Sequence, residues 1–206
     1  MTWKFDKHIS EIYLDHVSKH LPDFYKVIDK TVECCINYSD QNSKILDFGC
    51  ATGHTLEQLF YAGFTELYGV DSSQDMLDKC TAPATYLNGN MIPIMKFDVI
   101  IANWVIHFNK DKQELLQQIY SNLSPGGMFI LSEKLIQSEF IKNRYYDWKL
   151  KQGATLKEIE EKEKALKNVM HLNKLDFYTE TLSQLGFKNI EIINETWGFV
   201  TILAFK

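Results

Sequence analysis

The chain has 206 residues, 45% of them hydrophobic and 24% charged, and a formal net charge of −5. That length suits one well-buried core, and no apolar run reaches the roughly 18 residues that a membrane-spanning helix needs. The acidic balance argues against broad nucleic-acid binding.

Residues 5–37 read as helical, with Ile9, Ile12, Tyr13 and Val17 at helical spacing and a break near Leu21-Pro22. Residues 1–42 thus form an N-terminal helical segment, and the opening residues lack a signal-peptide pattern. Beyond Ser43, strands and helices alternate. Strands are expected near 44–48, 66–70, 84–87 and 97–102, and helices over 54–62, 73–80 and 112–123. Asp111-x-x-Glu114 reads as a capping box for the last of these helices. Ser124-Pro125-Gly126-Gly127 reads as a sharp turn into a strand over 128–132. A helix over 175–185, stopped by Gly186, precedes strands over 189–194 and 197–205. The alternation predicts an α/β fold, a doubly wound, mainly parallel sheet of seven strands within one domain, 1–206.

Residues 134–172 depart from the alternation. They carry two charged helices, about 136–151 and 156–171, broken at Gly153, the second opened by Thr155-x-x-Glu158. Ligands of open α/β sheets lie at the carboxyl ends of the strands, so an insertion after the strand near 132 is expected to form a lid. A helical pair adding only core or a dimer surface fits the pattern equally well. Residues 134–174 hold 10 basic and 6 acidic side chains, so this segment runs against the acidic whole. Arg144 is the sole arginine, which weakens a nucleic-acid reading because arginine suits bidentate phosphate and guanine contacts. Cys34, Cys35, Cys50 and Cys80 contain no C-x-x-C pair, so reduced thiols and a cytoplasmic location are expected.

The most informative segment is Asp47-Phe48-Gly49-Cys50-Ala51-Thr52-Gly53, a glycine turn between a strand and a helix. The next strand ends in Asp71, an acid able to accept hydrogen bonds from a ribose. The spacing D-x-G-x-x-x-G differs from the dinucleotide pattern. With Asp71, Gly89-Asn90, Asn103 and Ser124–Gly127 it resembles class I S-adenosylmethionine (SAM) methyltransferases. More closely, the chain resembles the carboxy-SAM synthase family, enzymes upstream of wobble-uridine modification in tRNA that convert SAM and prephenate into carboxy-SAM. Trp3-x-Phe5-Asp6, Leu131–Lys134, Tyr146–Lys149, Asn168-Val169-Met170 and Leu185-Gly186-Phe187 carry that closer likeness.

The resemblance implies SAM as cofactor, with Gly49, Cys50 and Ala51 at its methionine part and Asp47 and Gly53 of the same motif among the cofactor-binding residues. It implies Asp71 and Ser72 at the ribose, and Phe24, Met76, Asn90, Met91 and Asn103 nearby. Phe24 stands where the family has Tyr, and Asn90 where it has Asp. At position 163 the family has an arginine said to reach the carboxylate of carboxy-SAM; this chain has Glu163. Leu156, Ile159, Leu166 and Met170 place position 163 on the inward stripe of its helix, with Lys162 rotated about 100° away. A carboxylate there would repel a second carboxylate. The expectation is therefore a retained scaffold without the carboxy-SAM reaction.

SAM carries a good leaving group, so the protein's task is alignment and exclusion of water. His107, just past the strand end, is the candidate general base or substrate ligand; backbone hydrogen bonding under the sheet edge is the alternative. Tyr13, Trp104 and Phe24 are candidates for contact with the sulfonium, or core. Tyr145, Tyr146, Trp148 and Glu163 are candidates for the acceptor pocket, or lid packing. His16-x-x-x-His20 shares a helix face, but with no H-E-x-x-H pattern it reads as solvated, and no metal is expected. The leading expectation is a methyltransferase for a small, amine-bearing acceptor. A carboxy-SAM synthase-like enzyme and a non-catalytic SAM-binding regulator are the alternatives. Neither a membrane nor nucleic acid is an expected partner; a homodimer is compatible with the resemblance.

Overall fold

A computed structural model describes residues 4–206; Trp3, part of the family likeness, and the first two residues of the N-terminus lie outside them. Three helices open the chain: α1 (Lys7–Glu11), α2 (Tyr13–His20) and α3 (Phe24–Tyr38). The alternating region follows as β1 (Ile45–Phe48), α4 (His54–Tyr61), β2 (Leu67–Asp71), α5 (Gln74–Leu77), β3 (Thr85–Asn88), β4 (Phe97–Asn103), α6 (Lys112–Asn122) and β5 (Leu123–Lys134). The insertion supplies α7 (Glu139–Lys151) and α8 (Leu156–Leu166), and α9 (Leu175–Leu185), β6 (Lys188–Thr196) and β7 (Phe199–Phe205) complete the chain.

The seven strands form one sheet in the order β3-β2-β1-β4-β5-β7-β6. β1 to β5 pair in parallel, and β7 runs antiparallel between β5 and β6. Side chains alternate across the sheet. Leu46, Ile100, Leu131 and Ile202 therefore meet Leu116, Ile119, Tyr178 and Leu182 on one face. Their neighbours Ile45, Ile101, Ile130 and Leu203 meet Cys35, Leu56 and Leu59 on the other. Burial on both faces is what a parallel sheet with helical layers requires. No helix among the described residues is long and apolar enough to cross a membrane.

Several boundaries differ from expectation. α5 is a single turn, and α8 ends at Leu166 rather than near 171. Asp111 accepts from the Glu114 amide at 3.1 Å, but only the Thr155–Glu158 pair closes a reciprocal capping box. The turn at Ser124–Gly127 is drawn into β5, where Leu123 pairs with Phe97 across a register shift. Gly126 takes φ of 75° there, and its amide donates to Lys206 O at 3.0 Å.

Candidate active site

A cavity of about 910 Å³ opens where β1, β2, β4 and β5 end, and Gly49, Asp71, Asn103 and Lys134 from those ends line it. β1 and β4 are neighbours in the sheet although far apart in the chain, so the cavity sits at the switch point where such folds bind ligands. Tyr13, His16, Val17 and His20 of α2 form one wall. Lys142, Tyr145 and Lys149 of α7, with Lys162 and Glu163 of α8, form the facing wall. The two walls are tied: Tyr145 Oη donates to His20 O at 2.6 Å, and Lys162 Nζ lies 2.6 Å from His16 Nε2.

The glycine turn begins with the amides of Gly49 and Cys50 donating to Val70 O at 2.7 and 3.1 Å. Gly49 has φ of 78°, and a Cβ there would lie 2.5 Å from Val105 Cγ2, so only glycine lets the loop after β4 close against the turn. Ala51 takes φ of 47°, left-handed for a residue with a side chain, and its amide donates to Asp71 Oδ2 at 2.9 Å. Ser73 N donates to Asp71 Oδ1 at 2.8 Å. Burial raises the Asp71 carboxyl above its ordinary range, against the amide hydrogen bonds of Ser73, Ala51 and Ser72, which lower it. The side chain thus couples the turn to the tip of β2.

The residues present fit an adenosyl sulfonium cofactor. Asn103 Oδ1 accepts from Ser132 Oγ at 2.6 Å, while its Nδ2 is buried without a hydrogen-bond partner. That donor lines the cavity and suits a carboxylate, while Asp71 suits vicinal hydroxyls. SAM would supply an electrophilic carbon on a sulfonium leaving group.

Of the residues singled out in the sequence, Tyr13, Gly49, Ala51, Asp71, Ser72, Asn103, Trp104, His107, Tyr145 and Glu163 line the cavity. The others lie outside its lining. Asp47 is buried below the turn, its carboxyl pushed up to about 7 by burial and by Asp71. The Cys50 side chain packs towards Gly69, where an added Cβ would lie 2.9 Å from its Sγ. Gly53 begins α4 with φ of 75°. Met76 is fully buried, and Asn90 and Met91 are exposed on the loop after β3. Phe24 stacks behind Trp104, ring centroids 5.4 Å apart, and supports it from the core. Trp148 stacks on Tyr145 at 6.2 Å, and Tyr146 lies beside Glu163, whose charge, after burial, raises its hydroxyl, so both brace the wall that α7 and α8 form.

Two expectations need correction. The His16–His20 face is not solvated: the rings lie 4.6 Å apart between α2 and α8, and His20 is buried. Burial first, then the Lys162 charge, lowers these imidazoles to about 3 and about 2, so both are neutral near pH 7. Lys162 is not turned away by its rotation from Glu163. The cavity edge is broad enough for both to line it, and the long lysine stem carries its ammonium to His16.

Sequence reasoning missed the basic lining. Six lysines (134, 142, 149, 162, 164 and 167) and three acids (Asp71, Glu160 and Glu163) line the cavity. The ammonium of Lys149 sits 4.2 Å and that of Lys134 5.0 Å from the centroid of the Tyr145 ring. Burial lowers Lys149 to about 7 and Lys134 to about 8. The +4 charge of residues 134–174 was the available signal, without direction. His107 also differs from the backbone-bonded alternative: its Nδ1 lies 3.2 Å from Glu133 Oε2.

The chain matches the methyltransferase-domain family over residues 17–192. It is 32% identical over 227 residues to a carboxy-S-adenosyl-L-methionine synthase of Helicobacter hepaticus, covering 99% of this chain and 95% of that protein. A synthase of the same name from Colwellia psychrerythraea is 27% identical, covering 98% and 91%. Among solved structures, one described as an S-adenosyl-L-methionine-dependent methyltransferase of Methanococcus maripaludis superposes with a TM-score of 0.66 at 21% identity, covering 99% and 94%. Magnesium protoporphyrin IX methyltransferase of Synechocystis with bound SAH gives 0.64 at 15% identity, covering 88% and 82%, a likeness of fold.

Proposed function

This chain belongs to the methyltransferase-domain family, among homologues that include carboxy-S-adenosyl-L-methionine synthases, and we propose that its second substrate is a small carboxylate-bearing anion. It is a SAM-dependent enzyme of the methyltransferase type. The proposed reaction is transfer of the SAM methyl group to that anion in the cavity beneath the lid.

The observation that carries the reading is the lysine lining. Lys134 and Lys149 are drawn out of water around one aromatic ring, and each lowers the proton affinity of the other or of Lys162. A carboxylate among them would reverse that repulsion, and charge-assisted hydrogen bonds are about twice as strong as neutral ones. An amine would add to the repulsion. The amine-bearing acceptor inferred from Glu163 alone is therefore replaced: its carboxylate is answered by Lys142 and Tyr146.

The same pairing favours a second reading, the carboxy-SAM synthase reaction of the named relatives. With Lys142 at 3.4 Å, Glu163 offers less repulsion to an additional carboxylate than a lone acid on the stripe would. One experiment separates the two readings. The protein is incubated with SAM and, in turn, a panel of small carboxylates, amines and prephenate, and the products are read by mass spectrometry. A methylated carboxylate supports methyl transfer, and carboxy-SAM from prephenate alone supports the second reading. A methylated amine with no carboxylate product would overturn the anion assignment.

A further inference from the structure

His107 is held at three points in the 3-10 turn Ile106–Phe108 that follows β4. Its amide donates to Glu133 Oε1 at 3.3 Å, its carbonyl accepts from His171 N at 2.7 Å, and its Nδ1 lies 3.2 Å from Glu133 Oε2. Glu133 is fully buried on β5 beside the strand that delivers His107. Tyr178 Oη of α9 donates to the same Oε2 at 2.9 Å, and Lys112 of α6 is close enough to interact with the carboxylate. His107 is 3% exposed, yet it lines the cavity. With Nδ1 committed to Glu133, Nε2 is the nitrogen available to a ligand.

We propose that Glu133 is a positioning residue that keeps the His107 proton on Nδ1, so that Nε2 serves as proton acceptor for the second substrate. This deepens the proposed function and rests on the reading of the cavity as the acceptor site. A histidine fixed at amide, carbonyl and ring has little freedom left, which a general base needs if it is to meet its substrate in one orientation. The carboxylate does two things. As an acceptor it selects the Nδ1–H tautomer, and as a charge it offsets the imidazolium formed when Nε2 takes up the substrate's proton. Tyr178 orients the carboxylate without supplying a charge. Lys134 and Lys149, which line the same cavity, would hold the anion by its carboxylate and leave the imidazole to its proton-bearing group.

The test reads the tautomer directly. In SAM-loaded protein carrying isotopically labelled histidine, ring-nitrogen NMR at neutral and mildly alkaline pH should find His107 protonated on Nδ1 and bare on Nε2. His107→Gln assigns the signals. In Glu133→Gln, whose amide can donate or accept, the Nε2–H tautomer should appear beside the first. In Tyr178→Phe, which also covers the case that Glu133→Gln fails to fold, Oε2 serves one donor fewer and the Nδ1 proton should move downfield. A wild-type proton on Nε2, or an Nδ1 signal unmoved in Tyr178→Phe, overturns the proposal. With the carboxylate that supports turnover, Glu133→Gln should lower kcat on the order of 100-fold with little change in KM. Because the tautomer is read with no acceptor present, a panel that yields only amine products defeats the anion reading without bearing on Glu133.

Discussion

Lys142 Nζ stands 3.4 Å from Glu163 Oε2, an ion pair that joins α7 to α8 and leaves both side chains about one-third exposed. At that exposure the pair stabilises the lid by at most about 1 kcal/mol, so its main effect is on the field inside the cavity. Glu163→Gln removes the carboxylate and releases Lys142 to the cavity. Calorimetry should then record carboxylate binding tightened by a few-fold, on the order of the pair's own energy. Weakened carboxylate binding in the variant would contradict the assignment of Glu163 as a counter-ion to the lysines.

Lys149 is 3% exposed, and burial, followed by the charge of Lys134, holds its ammonium at about 7 instead of the ordinary 10.5. Between those values the unfolded chain binds the proton that the folded chain has released, so folding stability rises with pH across the window. Below about 7 both states are protonated and the cost of the buried charge is constant. Lys149→Met removes the titration. Thermal melts should therefore find the variant more stable near neutral pH, with wild type closing the gap as pH rises. A gap that does not change with pH would show that Lys149 keeps its proton in the folded protein.

Asp71→Asn preserves the shape of the side chain that receives the Ala51 and Ser73 amides while removing its charge. A hydrogen bond to a charged group is worth about 1.5–3 kcal/mol, so the Kd for SAM should rise by about 10- to 100-fold. Circular dichroism would confirm an intact fold. Unchanged SAM affinity in a folded Asp71→Asn protein would remove the carboxylate from the cofactor site.

The thiols of Cys80 and Cys50 both donate to Ala51 O, at 3.4 and 3.9 Å, and the neighbouring Cys50 holds the Cys80 thiol below its ordinary range, against burial. Cys34 and Cys35 are raised by burial, and Cys50 by the neighbouring Cys80 and then by burial. Since the thiolate is the nucleophile, iodoacetamide at neutral pH should label Cys80 first. Peptide mapping that finds Cys34 labelled ahead of it would count against this order of the thiols.

The sequence by itself determined the strand–turn–helix unit at Asp47–Gly53, the acid at the tip of β2 and the alternation that makes the sheet. Each depends on a spacing of a few residues along one backbone, where glycine freedom and side-chain period are local properties. Packing alone decided which charges meet. Lys162 reaches His16 across 146 positions, and His107 reaches Glu133 across 26. Glu163 was visible as an inward acid, but its partner Lys142 sits on another helix, and the sign of the cavity follows from their sum. Electrostatic interaction falls with distance and rises with burial, and both quantities exist only once the lid has folded against α2.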